Sequence, residues 1–265
     1  MKAESSPNIL ASMTTEALDT LGGLGRFAQF MVIVVWRVIT LRAFPTQSIY
    51  HLASVLYRCV LPVCATIAPV GMVMALQGSS VFELFGAERL LSFLIGQAVF
   101  RELGPVLTAV LLAAQGGASF AAELGAMRVQ EQLDATEVMG VDSIRFHVAP
   151  RVVAVALAAP VLNILGCAVG IIAGFVGAVV LHGQDPASFL HTLYSSLTIV
   201  DVLNGTLKAS VFGMTIGIIS CYLGYNVKGG AMGVGKAVND TVVYSVVTCL
   251  VLNYFMTTAM FGVNL

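Results

Sequence analysis

Apolar runs broken by short polar stretches set the rhythm of this chain. Five of them, at about residues 55–84, 90–122, 148–181, 202–225 and 241–261, are long enough to cross a bilayer, whose ~30 Å hydrocarbon core takes about 20 helical residues. Ahead of them lies "FAQFMVIVVWRVITLRAF", apolar for only about ten residues and punctuated by Arg37 and Arg42, with Arg26 in front. That run is short for a span, and its charges fit a helix lying in the membrane interface. The pattern predicts an all-α integral membrane protein: five transmembrane helices preceded by an N-terminal interfacial amphipathic helix. Residues 1–54 would form a cytoplasmic lead-in and that interfacial helix, with residues 1–25 weakly ordered or amphipathic. Residues 55–265 would form the five-span unit.

Composition agrees. Of 265 residues, 58% are hydrophobic and 10% charged, whereas a soluble domain carries about 25% charged residues. A net charge of -1 and the absence of a basic run argue against a nucleic-acid partner. The five cysteines show no C-x-x-C pairing and read as packing residues. The four histidines are scattered without zinc-type spacing, and no serine lies in a recognisable nucleophile elbow. No metal site, cofactor or catalytic centre is therefore expected. "GAMGVGKA", residues 230–237, nearly matches a phosphate-binding loop, but Ala237 stands where a magnesium-binding hydroxyl is needed. The surrounding "NVKGGAMGVGKAVND" reads as a cytoplasmic turn.

Lysine and arginine placement sets the expected orientation. With an odd number of spans and the N-terminus inside, Lys2, Arg26, Arg37, Arg42, Arg58, Arg128, Arg145, Arg151, Lys228 and Lys236 fall on or near the cytoplasmic side. Only Arg89 falls in an outer loop, and the connection around Asp185 and Asp201 has neither Lys nor Arg. The C-terminus would then lie outside. Gly166, Gly170 and Gly174 in the third run, and Gly213 and Gly217 in the fourth, offer small surfaces for close helix approach, within one subunit or at a dimer seam.

Three ionisable residues fall well inside the spans: Arg101, Glu102 and Lys208. Central charges cost roughly 2.5–3.5 kcal/mol on insertion scales, so they face a protein interior or a wet cavity. They are candidates for lining a substrate cavity, or for a bridge that fixes helix register. Successive helical residues point about 100° apart, so one of Arg101 and Glu102 is expected to meet Lys208 or a headgroup and the other a different helix. Pro105 removes a backbone hydrogen bond and favours a kink. The polar segment 123–142 carries Glu131, Asp134 and Glu137 every three residues, which reads as a short amphipathic helix with an acidic face. Met127, Leu133 and Met139 beside it want cover, which suggests a docking partner.

The run from Phe100 to Arg151, "FRELGPVLTAVLLAAQGGASFAAELGAMRVQEQLDATEVMGVDSIRFHVAPR", closely resembles the central signature of the MlaE/YrbE permeases. The similarity continues through "LKASVFGM" and "GGAMGVGKAVNDTVV" to "TTAMFG". These permeases are membrane subunits of ABC transporters that act on lipids together with MCE-domain proteins. The resemblance implies a bacterial plasma (inner) membrane and a second MlaE/YrbE-type permease subunit, identical or related. It also implies a cytoplasmic ABC ATPase subunit that supplies the hydrolysis, and a lipid cavity near Arg101, Glu102 and Lys208. Residues 123–140, with Glu123, Arg128, Glu131, Gln132, Asp134 and Glu137, would be the coupling helix on the ATPase. Many family members have Gly-Arg where this chain has Ala114-Gln115, which puts any charge network there in doubt. The alternatives by function are an ion-coupled secondary transporter using the same three charges, and a membrane anchor without a substrate path. No inverted repeat with paired broken helices supports the former.

Overall fold

A computed structural model describes residues 9–39, 45–87 and 90–262. Lys2, Arg42 and Arg89 lie outside the described residues. Among the described residues the secondary structure is entirely helical. α1 spans Ile9–Ile39 and α2 Pro45–Leu84. Leu90 to Val129 forms one rod in three α-segments, α3 (Leu90–Ala98), α4 (Gly104–Leu112) and α5 (Ala118–Val129), joined by π-turns at Val99–Leu103 and Ala113–Gly117. α6 (Gln132–Val138) follows. A third π-turn, Ile144–Val148, opens into α7 (Ala149–Phe175), which a fourth extends to Leu181. α8 (Pro186–Ser196), α9 (Ile199–Tyr225) and α10 (Gly230–Phe261) complete the chain.

Among the described residues five helical stretches are long and apolar enough to cross a membrane: Thr46–Leu84, Leu90–Val129, Ile144–Leu181, Ile199–Tyr225 and Gly230–Met260. They contain the five apolar runs, but most begin earlier than hydropathy alone indicates. The expected turn "NVKGGAMGVGKAVND" is a correction. α9 ends at Tyr225 and α10 starts at Gly230, so only residues 226–229 connect them. The reversal is concentrated at Gly229 and Gly230, whose φ of 89° and 66° suit glycine; Ala231 onward then continues as helix. The connection "HGQDPASFLHTLYSSLTIVD" likewise holds α8. Asp185 caps it by accepting from Ser188 N–H at 2.8 Å, with Pro186 at the first helical position.

α1 begins at Ile9, so residues 9–25 are helical rather than loose. Gly22, Gly23 and Gly25 weaken the helical signal there by about 1 kcal/mol each, and tertiary contact outweighs them. Phe30 and Val34 are buried with Leu124, Leu133, Val152 and Ile218, and the Phe27 and Phe30 rings meet Tyr222 at 5.1 and 5.3 Å. Trp36 and Val32, on the other side of the helix, are exposed.

The core runs in three stations between an α6 end and an α8 end. Val148, Val152 and Cys221 lie at the first, Leu112, Leu162 and Phe212 in the middle, and Leu91, Ile95 and Phe189 at the second. The five cysteines are free, and all but Cys64 are buried. The glycine-rich faces meet inside this one chain. A Cβ at Gly71 on α2 would overlap the Gly170 carbonyl on α7, and Gly213 and Gly217 of α9 lie against Val155 and Val152 of α7.

Candidate functional site

Arg101 and Glu102 sit in the π-turn that joins α3 to α4, a local widening of the helix often found at functional sites. Gly104 N–H returns to the Val99 carbonyl five residues back. Pro105 follows and has no N–H to give the Arg101 carbonyl. Lys208 of α9 supplies the donor instead, its Nζ lying 2.8 Å from Arg101 O. The expected disruption at Gly104-Pro105 is thus a π-turn completed by a side chain from another helix.

Lys208 is fully buried, and each of its three protons has a partner. Besides Arg101 O, Nζ reaches Glu102 Oε1 at 3.1 Å and Thr257 Oγ1 at 2.8 Å. Glu102 accepts further from Thr257 Oγ1 at 2.9 Å and from Asn253 Nδ2 at 2.8 Å. One carboxylate therefore ties the rod to α9 and α10 together. Burying an ammonium costs several kcal/mol, offset only by a close counter-ion and full hydrogen bonding; this cluster provides both. Glu102 keeps 38% of its side chain exposed, on the margin of the cluster.

Arg101 points elsewhere, as the turn of the helix requires, but not to a different helix from the one that carries Lys208. Its Nε and Nη2 lie 2.8 and 2.7 Å from Asp201 Oδ1. Asp201 and Lys208 are seven residues apart, two turns along one face of α9, so both neighbours on the rod engage α9. Sequence reasoning placed Asp201 in an outer connection and missed it. Asp201 is buried in the first turn of α9, where its Oδ2 accepts from Thr198 N–H at 3.1 Å and from Thr198 Oγ1 at 2.7 Å. Thr198 Oγ1 caps the Asp201 N–H in return. The Thr198-x-x-Asp201 spacing was the available signal. Gly205 lets the helices approach, since a Cβ there would overlap the Phe100 carbonyl.

The six residues assigned by sequence to coupling separate into two places. Glu123 lies within the bundle, with Oε2 3.4 Å from Arg151 Nη2, and Ser119 donates to its Oε1 at 3.3 Å. The other five frame α6. The helix expected to run through the segment breaks after Val129, and Glu131 takes a left-handed conformation with φ of 58°. Glu131, Asp134 and Glu137 therefore do not continue one helix face. Arg128 pairs with Asp134 and lies over the Tyr225 ring, 5.9 Å from its centroid. The Tyr225 hydroxyl donates to Glu137 Oε1 at 2.8 Å, and Gln132 donates to Gln130 at 2.7 Å. Leu133 finds its cover within the chain, whereas Val138, at 88% exposure, and Met139 stay open at the end of α6, as Glu131 does at its start. Ala114 and Gln115 fall in the second π-turn, where Gln115 is exposed.

Among the described residues, five apolar spans held by an interior ion cluster, with a short clasped helix at one end, define a multi-pass α-helical membrane protein. The family described as Permease MlaE matches residues 48–259. The chain is 34% identical over 256 residues to a "Probable ABC transporter permease protein" of Rickettsia bellii, covering 97% of this chain and 99% of that one. It is also 34% identical to the "Intermembrane phospholipid transport system permease protein MlaE" of Haemophilus influenzae, over 96% of this chain and 98% of that one. A "Probable ABC transporter permease protein" of Synechocystis is 39% identical over 192 residues, 72% of this chain and 73% of its own. The chain belongs to the MlaE permease family.

Proposed function

We propose that this permease is the membrane subunit of an ABC transporter that moves phospholipid or another hydrophobic lipid together with MCE-domain proteins. The observation that carries the reading is the end-to-end similarity to the Haemophilus phospholipid transport permease. Two permease subunits, the same or related, would enclose a lipid cavity, and the exposed edge of Glu102 would face it beside Arg101 and the buried Lys208. Each tail methylene buried there contributes ~0.8 kcal/mol, so apolar side chains would supply most of the affinity and the charges would place the headgroup.

A cytoplasmic ATPase subunit would seat on α6, where Val138, Met139 and Glu131 are open while Arg128, Asp134 and Glu137 hold the helix to α5 and α9. In this arrangement the α6 end faces the cytoplasm of a bacterial inner membrane, α1 lies in the interface, and the C-terminus is outside. The test is reconstitution of the chain with an ATPase subunit in vesicles carrying labelled phospholipid. ATP-dependent lipid transfer is expected. Transfer driven by an ion gradient without ATP would favour ion-coupled transport through the same charges.

A further inference from the structure

A second ionised group lies toward the α6 end, on the seam between α2, α5 and α7. Glu123 stands 21 residues after Glu102 on the same rod, roughly 30 Å away at 1.5 Å per residue. Arg151 of α7 is 4% exposed; its Nη1 donates to the His147 carbonyl at 2.6 Å and its guanidinium lies 5.8 Å from the Phe120 ring centroid. Arg58 of α2 donates to the Ser119 hydroxyl and reaches Glu123 Oε1 only at 4.0 Å. His51, two turns earlier on α2, meets the other side of the arrangement with its ring 5.5 Å from that of Phe120.

Two guanidinium groups thus share one carboxylate, at 3.4 and 4.0 Å. A charge-assisted bond settles at about 2.7–2.9 Å, as between Arg101 and Asp201. The group therefore holds one positive charge in excess. Its most accessible cation is Arg58, 51% exposed next to the exposed apolar surfaces of Tyr57 and Leu61. A charge on such a face is expensive in hydrocarbon and cheap at headgroup level. The span Thr46–Leu84 has 39 residues, about 58 Å against a ~30 Å core. If it is centred, Arg58 falls roughly 4 Å inside the edge of that core.

We propose that Arg58 and Ser119 seat the phosphate of an anionic phospholipid, with its tails along Tyr57 and Leu61 and Glu123 drawn onto Arg151. The excess charge selects a net-negative headgroup over a zwitterionic one, and the apolar flanks select a lipid over free phosphate. This site is separate from the Glu102 cluster and needs only immersion in a membrane, not the transport activity proposed above.

The test is native mass spectrometry of the full-length protein after exchange into phosphatidylglycerol or phosphatidylcholine. Preferential retention of phosphatidylglycerol is expected. Arg58→Gln should lower it about tenfold, the loss of one charge-assisted bond. Arg58→Lys should keep most of it and Ser119→Ala should lower it less. Millimolar inorganic phosphate should not displace the lipid; displacement would make this an open anion site and overturn the lipid assignment. Equal retention of the two lipids, or no effect of Arg58→Gln, would also overturn it. So would a change in oligomeric state with Arg58→Gln, which would assign the face to a second copy of the chain.

Discussion

Lys208 donates to the carbonyl of Arg101, the one carbonyl that Pro105, four residues later, cannot serve. A break in one helix and a buried charge in another answer each other, and Glu102 closes the circuit at 3.1 Å. Removing either side should leave the other stranded.

Lys208→Met is accordingly expected to destabilise the protein by about 1–3 kcal/mol, because Glu102 loses its counter-ion and the Arg101 carbonyl its donor. The double variant Glu102→Gln with Lys208→Met should recover part of that loss. Thermal unfolding in detergent, read as a double-mutant cycle, checks this; strictly additive effects would mean that the two side chains are not coupled.

Pro105→Ala restores an N–H opposite the Arg101 carbonyl. It should soften the Lys208→Met defect by about 1 kcal/mol, the worth of a recovered hydrogen bond. If the two substitutions together are no more stable than Lys208→Met alone, the carbonyl is not what Lys208 serves.

Asp201 has two duties that substitution can separate. Thr198→Ala should cost about 1 kcal/mol through the lost cap and leave the Arg101 pair in place. Asp201→Ala should cost clearly more, because the ion pair with Arg101 is lost as well. Equal losses in unfolding experiments would show that capping alone matters.

At the other end, Glu131 adopts a left-handed backbone. Left-handed geometry costs an ordinary residue roughly 1–2 kcal/mol, so Glu131→Gly should hold or raise the melting temperature. Glu131→Lys should leave folding intact yet impair stimulation of a co-reconstituted ATPase, if the open face beside Val138 is the docking surface. Unchanged ATPase stimulation would count against that role.

The spans were legible because lipid demands long apolar runs, and those runs are visible without any tertiary information. Their ends were less so. Ala231 to Lys236 is rich in glycine and carries a charge, yet continues as helix once Gly229 and Gly230 have turned the chain. The ion cluster was half legible. Arg101, Glu102 and Lys208 stand out as charges among apolar residues, but Asn253 and Thr257 are ordinary polar residues whose role depends on which face of α10 meets Glu102. Asp201 was hidden by hydropathy, which put it outside the membrane, although its spacing from Thr198 spelled a helix start. Glu123 enters the coupling segment through the family resemblance, and its contact with Arg151, 28 residues further along, is one that no local pattern reveals.

The shared bonds of Asp201 bear on how the α8 end can move. The carboxylate that starts α9 is the same one that anchors Arg101. Displacing Asp201 itself therefore opens the first turn of α9 and releases the arginine together, so a pull on the corner between α8 and α9 that moves this carboxylate also loosens the grip on the adjoining rod.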